Sequence, residues 1–302
     1  MRQILDRALE PLDHVTVRVA LWLFPLLVFL HNPVRLLRPE MWGEDGPYWY
    51  AQAYEYGVQS LLIPAGGYLN SVQRLVAIAV QPLPLDWVPF LFQLTAILIQ
   101  AAPAILLVST RLDRAWPDRR SRCLFALLYL VMPNAVETAA GLTNSQWYLA
   151  LVAFLIIVSS PPKGVWGRSI ETLVLIIAGF SGPFGILILP AALWETLVSN
   201  RENRPDAQRR LAALGAAAMV QIALILLLTG GGRNNAPLGA TFDLLVRIVS
   251  LISLGAELGY RSLKELSGGK LLRVSPLPYL AAVLSILLIG LAVARGPRIL
   301  AQ

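Results

Sequence analysis

Apolar residues along this chain fall in long runs, as bilayer-crossing helices require, separated by short stretches rich in Arg, Pro and Gly. The first run covers about Val15–Leu30, with Pro25 inside it. Arg2, Arg7 and Arg18 give it a charged front like that of a signal sequence, but His31-Asn-Pro-Val-Arg35 follows instead of a small-residue cleavage site. This predicts a retained signal anchor with a cytoplasmic N-terminus.

Residues 32–86 then form a first loop outside the cytoplasm. Pro47–Gly57 (PYWYAQAYEYG) carries five aromatic residues at spacings that suit a helix lying in the membrane interface. Ser71–Gln81 reads as a second short amphipathic helix, with Gln73 and Arg74 polar, and the glycines of Pro64–Asn70 predict a tight turn between the two. Further runs follow at about Trp87–Thr110, Cys123–Met132, Trp147–Ser160 and Leu211–Thr229. The stretch Ile170–Leu197 is too long for one crossing and is broken at Ser181-Gly-Pro183, which reads as an outside turn between two short helices. Arg111–Arg122, Pro161–Arg168 and Arg201–Arg210 are the basic connections and are assigned to the cytoplasm. Leu244–Leu258, which contains Arg247 and Glu257, suits either a membrane helix or an interfacial one, and Pro276–Ala294 is a final span. The expected fold is an all-α polytopic transmembrane bundle of about eight spans. Residues 1–302 form one transmembrane domain, with membrane-parallel helices in the first outside loop.

Composition agrees. Of 302 residues, 56% are hydrophobic and 14% charged, with a mean hydropathy of +0.62; soluble domains carry about a quarter charged residues. A net charge of +7 would suggest nucleic acid in a soluble protein. Here the excess sits in short loops, so no nucleic-acid partner is assigned and membrane lipids are the expected surroundings. The single cysteine, Cys123, excludes an intramolecular disulfide. His14 and His31, the two histidines, cannot build a zinc site without carboxylates.

The candidate chemistry begins with Glu44 and Asp45, in Trp42-Gly-Glu-Asp-Gly46. Adjacent carboxylates at a bilayer surface repel each other and resist desolvation. They suit a general base or a site for Mg²⁺ or Mn²⁺; glycine-flanked acids also suit an ordinary turn. Arg35, Arg38 and Arg74 share the loop, against the usual charge bias, and fit either a clamp on a lipid phosphate or pairing with headgroups and with Glu40, Glu44 or Glu55. Arg233, beside Asn234 and Asn235, is a further outside cation. Asn144 and Trp147 suit the lining of a polar cavity, and Asn144 equally suits a helix cap. Glu171 and Glu195, near cytoplasmic helix ends, are expected to pair with arginine and to do no chemistry. The chain has no GxxxxGK[ST], GxSxG, HExxH or CxxC motif. Mid-span acids are scarce, which argues against a proton-relay pump.

An acidic motif in the first outside loop, followed by short membrane-parallel helices, resembles the GT-C class of membrane glycosyltransferases, which take a sugar from a polyprenyl-phosphate donor. The strings Trp42-Gly-Glu-Asp-Gly46, Gly67-Tyr-Leu-Asn70 with Arg74, Asn144-Ser-Gln-Trp147 and Ser181-Gly-Pro183 are also similar to those of a family of bacterial membrane proteins with this layout. The resemblance covers about Val15–Leu197. It implies a multi-pass protein of the bacterial inner membrane that transfers a glycosyl group at the outer face. Asp45 would act as base or metal ligand, supported by Glu44. Arg74, Arg38 and Arg233 would hold the donor phosphate, and Tyr68, Asn70, Asn144 and Trp147 would contact sugar or acceptor. The chain is shorter than most of that class and shows no separate soluble domain. A transporter or flippase using the same cavity, or a non-catalytic subunit of an envelope complex, are the alternative readings.

Overall fold

The computed structural model describes Leu12, residues 15–132 and 139–228, and Thr241. The expectations for Arg233, for residues 244–258, for the final span at 276–294 and for the side of the C-terminus lie outside the described residues. All elements below belong to one compact unit, residues 1–131 with 138–233.

Every regular element among the described residues is helical. The long ones are α1 (Val17–His31), α2 (Ala51–Tyr56), α3 (Ser71–Val80), α4 (Val88–Leu107), α5 (Arg119–Leu130), α6 (Ser145–Val158), α7 (Gly164–Phe180), α8 (Phe184–Val198) and α9 (Arg204–Leu228). Among the described residues, two stretches, Leu85–Leu107 and Arg204–Leu228, are long and apolar enough to cross a membrane. The interruption expected at Ser181-Gly-Pro183 falls between α7 and α8, where Pro183 cannot continue a helical ladder and Gly182 takes φ +142°. Helices α5, α7 and α9 begin several residues before the apolar runs do. Hydropathy marks where a helix turns greasy, whereas capping marks where it starts: the Asp118 carboxylate accepts from the Arg120 amide at 3.1 Å and opens α5 among its arginines.

Helix α4 is central. One core joins its Ile97, Ala101 and Ala104 to Ala20, Phe24 and Val28 of α1 and to Cys123, Ala126 and Leu130 of α5. A second joins Val152, Ala153, Ile156 and Ile157 of α6 to Leu175 and Ala178 of α7, Ile188 and Ala192 of α8 and Leu214 of α9. Small residues let these helices approach closely: a Cβ on Gly179 would lie 2.6 Å from the Ala217 Cβ, and one on Gly185 would lie 3.2 Å from the Gly179 Cα. The outer faces stay apolar. Trp22, Leu187, Trp194, Leu226 and Leu227 are each more than 60% exposed, a surface that suits hydrocarbon better than water.

The helices alternate in direction, so the bundle has two chemically different ends. At one end lie Arg111, Arg122, Arg168, Arg209 and Arg210 with their carboxylate partners. At the other end the loop through α2 and α3 folds over the start of α6 and the α7–α8 break. Its turn closes by an antiparallel bridge between Ala65 and Tyr68. Gly66 and Gly67 take φ +67° and +89°, which side chains other than hydrogen adopt rarely. Three polar contacts pin this loop down. The Asn70 amide donates to the Ala65 and Tyr68 carbonyls at 3.1 and 3.2 Å. The Ser181 hydroxyl accepts from the Val72 amide at 2.9 Å. Gln221 of α9 accepts from the Leu69 amide at 2.9 Å and donates to the carbonyls of Leu69, Gly179 and Gly182.

Candidate functional site

The Glu44–Asp45 pair is split by its local backbone. Gly43 at φ +49° starts a single 3₁₀ turn, Gly43–Asp45, that leaves Glu44 exposed and buries Asp45 to 2% exposure. The turn closes on itself: the Asp45 amide donates to the Trp42 carbonyl at 2.9 Å, and the Trp42 amide donates to Asp45 Oδ2 at 3.2 Å. The other carboxylate oxygen, Oδ1, accepts from the Thr143 hydroxyl at 2.9 Å. Burial pushes the Asp45 carboxyl above its ordinary value of 3.8; the bonds from Thr143 and Trp42 pull it part of the way back, and the neighbouring Glu44 charge raises it.

Thr143 joins two elements. Its Oγ accepts from the indole N–H of Trp49 at 2.8 Å while its proton goes to Asp45. One hydroxyl has one proton, so both neighbours fix its direction. Trp49 lies on the π-helical turn Gly46–Tyr50 and is 3% exposed. It is thus packed inside the protein, whereas Tyr48, Tyr54 and Tyr56 from the same aromatic stretch remain exposed and suit interfacial anchoring. Gln73 of α3 donates to the Thr143 carbonyl at 3.0 Å, and its own carbonyl oxygen is buried without a partner among the described residues.

Arg74, the next residue on α3, is fully buried. Its guanidinium carbon sits 5.3 Å from the centre of the Trp49 ring. None of its three nitrogens has a hydrogen-bond partner among the described residues. Burial draws its pKa down to about 10, which still leaves it charged near neutrality. The other deeply buried arginines are treated differently. Arg210 donates to both Glu171 oxygens and to the carbonyls of Ile157 and Ser159, and Arg122 pairs with Asp113 and donates to the carbonyls of Leu107 and Ser109. An unpaired buried cation costs several kcal/mol in a low-dielectric setting (~3–5 where one partner of a pair is removed). Arg74 is therefore a buried cation backed by an aromatic face, with no carboxylate within ion-pair distance among the described residues.

The remaining expected site residues divide. Tyr68 is half-buried and packs over Gly66; Asn70 is buried and spends its amide on the turn. Asn144 occupies the N-cap position of α6 without a side-chain cap bond, and Trp147 is exposed. Arg38 is exposed, while Arg35 lies 4.7 Å over the Trp42 ring. Glu171 and Glu195 pair with arginine at the opposite end, as expected. Among the described residues no three His, Cys, Asp or Glu side chains gather as metal ligands. Sequence reasoning passed over Thr143, Trp49 as a buried member, and Gln73; no local pattern marks a threonine whose partner is 98 residues away. Set against protein-family models, curated proteins and solved structures, the chain matches none.

Proposed function

We propose that this protein transfers a glycosyl group from a polyprenyl-phosphate-linked sugar to an acceptor at the outer face of the bacterial inner membrane, within a bundle of about eight spans. The arginine-rich end then faces the cytoplasm and the Asp45–Arg74 end faces outward, as the positive-inside rule prefers. One observation carries this reading: a fully buried Arg74 guanidinium, unpartnered among the described residues, and a buried Asp45 carboxylate linked through Trp49 and Thr143. An anion-receiving cation next to a carboxylate of raised pKa is what transfer from a phosphate ester asks for.

In the proposed step the acceptor hydroxyl oxygen attacks the anomeric carbon and gives its proton to Asp45, whose oxygens retain free lone pairs. The anomeric carbon–oxygen bond to phosphate breaks as the new bond forms. The electron pair leaves on polyprenyl phosphate, and Arg74 meets the growing charge. Glu44, exposed beside Asp45, keeps the neighbourhood negative and the base's pKa up. The polyprenyl tail stays in hydrocarbon while its phosphate reaches the loop end of the bundle.

The test is reconstitution of the full chain in proteoliposomes with radiolabelled polyprenyl-phosphate sugars. Wild type should release polyprenyl phosphate and label an acceptor. Asp45→Asn should still bind donor but lose about 10²-fold or more in transfer, the usual scale of a general base. Transfer that survives Asp45→Asn removes the catalytic assignment. Movement of intact donor across the bilayer without bond breaking makes the protein a flippase. Activity lost to a chelator and restored by Mg²⁺ or Mn²⁺ makes Asp45 and Glu44 metal ligands.

A further inference from the structure

Far from Asp45, at the arginine end, a groove of about 490 Å³ runs between α7 and α9. Val165, Leu173 and Ile176 form its apolar wall, and Arg168, Ser169 and Arg209 its polar part. On α7, positions 165, 169, 173 and 176 recur at helical spacing and make one stripe. Arg168 and Ile176 are eight residues apart, about 12 Å along the axis. Trp166, on the same helix, is 83% exposed, an aromatic of the kind that favours a membrane interface.

The charge around the polar part is unbalanced. Arg111, Arg209 and Arg210 converge on Glu171, and Arg168 and Arg209 share Asp206. Four guanidiniums face two carboxylates, leaving a formal excess of two positive charges. Glu171 and Asp206 are themselves buried, so the half-exposed guanidinium of Arg168 is what the groove presents, with the charge of Arg209 beside it. The Arg209 guanidinium is fixed by donating to the Arg168 carbonyl at 2.9 Å, to the Thr172 hydroxyl and to Glu171 and Asp206, which uses all of its N–H groups. A fixed cationic head above an apolar trough matches an amphiphile with an anionic head and a hydrocarbon tail.

We infer that this groove is a binding site for an anionic phospholipid of the cytoplasmic leaflet, its phosphate on Arg168 within the positive field of Arg209 and the first stretch of one acyl chain along Val165, Leu173 and Ile176. The inference rests on the membrane orientation proposed above, and not on glycosyl transfer. A zwitterionic lipid carries a compensating ammonium and is the poorer match for a site with excess positive charge.

The experiment uses the full chain in nanodiscs of mixed phosphatidylglycerol and phosphatidylcholine, with native mass spectrometry reading the lipids retained after release. Wild type should retain phosphatidylglycerol preferentially. Arg168→Gln should lower that preference about fivefold, the scale of one basic side chain at an anionic surface; Asp206 keeps Arg209 as its partner. Ile176→Trp, which fills the trough without changing charge, should reduce retention of either lipid and keeps the test decisive if Arg168→Gln does not fold. Equal retention of the two lipids by wild type, or a preference unmoved by both variants, overturns the inference. A chain that incorporates normally yet shows no preference leaves the membrane orientation standing, whereas failure to enter nanodiscs at all overturns both.

Discussion

The guanidinium carbon of Arg74 stands 5.3 Å from the ring centre of Trp49, and this stacking takes the place of a hydrogen-bond partner, of which a fully buried charge has none among the described residues. A cation over an indole face gains about 2 kcal/mol when desolvated, less than the several kcal/mol that burying the charge costs. The difference is what an anionic ligand would recover.

Arg74→Met should therefore have opposite effects with and without ligand. Without it, the variant should be as stable as wild type or more so, by about 1–3 kcal/mol, because a buried unpaired charge is replaced by an apolar side chain of similar length. With a polyprenyl phosphate present, wild type should gain thermal stability and the variant should not. Thermal unfolding in detergent, with and without the lipid, reads both; a variant that is destabilised without ligand and still responds to it contradicts the receptor role.

Asp45 sets a pH dependence whose sign is determined by the direction of its shift. Its folded-state pKa lies above the ordinary 3.8, so the native protein binds its proton more tightly than the unfolded chain. The stability associated with the neutral carboxyl is present below pH 3.8 and is lost as pH rises through the folded value. Asp45→Asn, which is neutral at every pH, should lack this dependence. The stability difference between variant and wild type should grow in the variant's favour from acid towards neutral pH. Paired melting curves across that range check it, and parallel curves would refute the shift.

Thr143→Val removes the hydroxyl shared by Asp45 and Trp49 while keeping the side chain's shape. The indole N–H and one carboxylate oxygen lose a partner, at about 1–3 kcal/mol for each buried group left unsatisfied. Losing a bond that lowers the Asp45 pKa should move that pKa further up. Thr143→Ser should restore both properties. Carboxyl-region infrared difference spectra with pH, using Asp45→Asn to assign the band, follow the pKa independently of stability.

The α7–α9 crossing should be intolerant at Gly179, where a Cβ meets that of Ala217 at 2.6 Å. Gly179→Ala should destabilise by about 1–3 kcal/mol through overpacking. Ala217→Gly in the same chain should recover much of it. A double variant no more stable than Gly179→Ala alone would show that the clash is relieved elsewhere.

Much of the architecture was legible because hydropathy is a local property. Trp87–Thr110 was read as a span and Val88–Leu107 is a helix; the helix expected at Ser71–Gln81 is Ser71–Val80, and the break at Ser181-Gly-Pro183 separates two helices. Starts were read late for α5, α7 and α9, since hydropathy does not register a helix turn made of arginines. Asp45 stood out from its place after the first apolar run, but its burial and the exposure of its neighbour Glu44 did not, because they follow from a single 3₁₀ turn after Gly43.

The amino-acid sequence by itself determined that this chain builds apolar helices, which connections carry the arginines, and that two adjacent acids sit in the first loop, since each depends on residues close together along the chain. Only the tertiary structure decided that Thr143 meets Asp45 across 98 positions, that Gln221 ties down Leu69 across 152, and that Arg74 has no hydrogen-bond partner among the described residues while Arg210 receives a complete set. Whether a buried charge is satisfied depends on what other helices bring to it, and no local pattern encodes that.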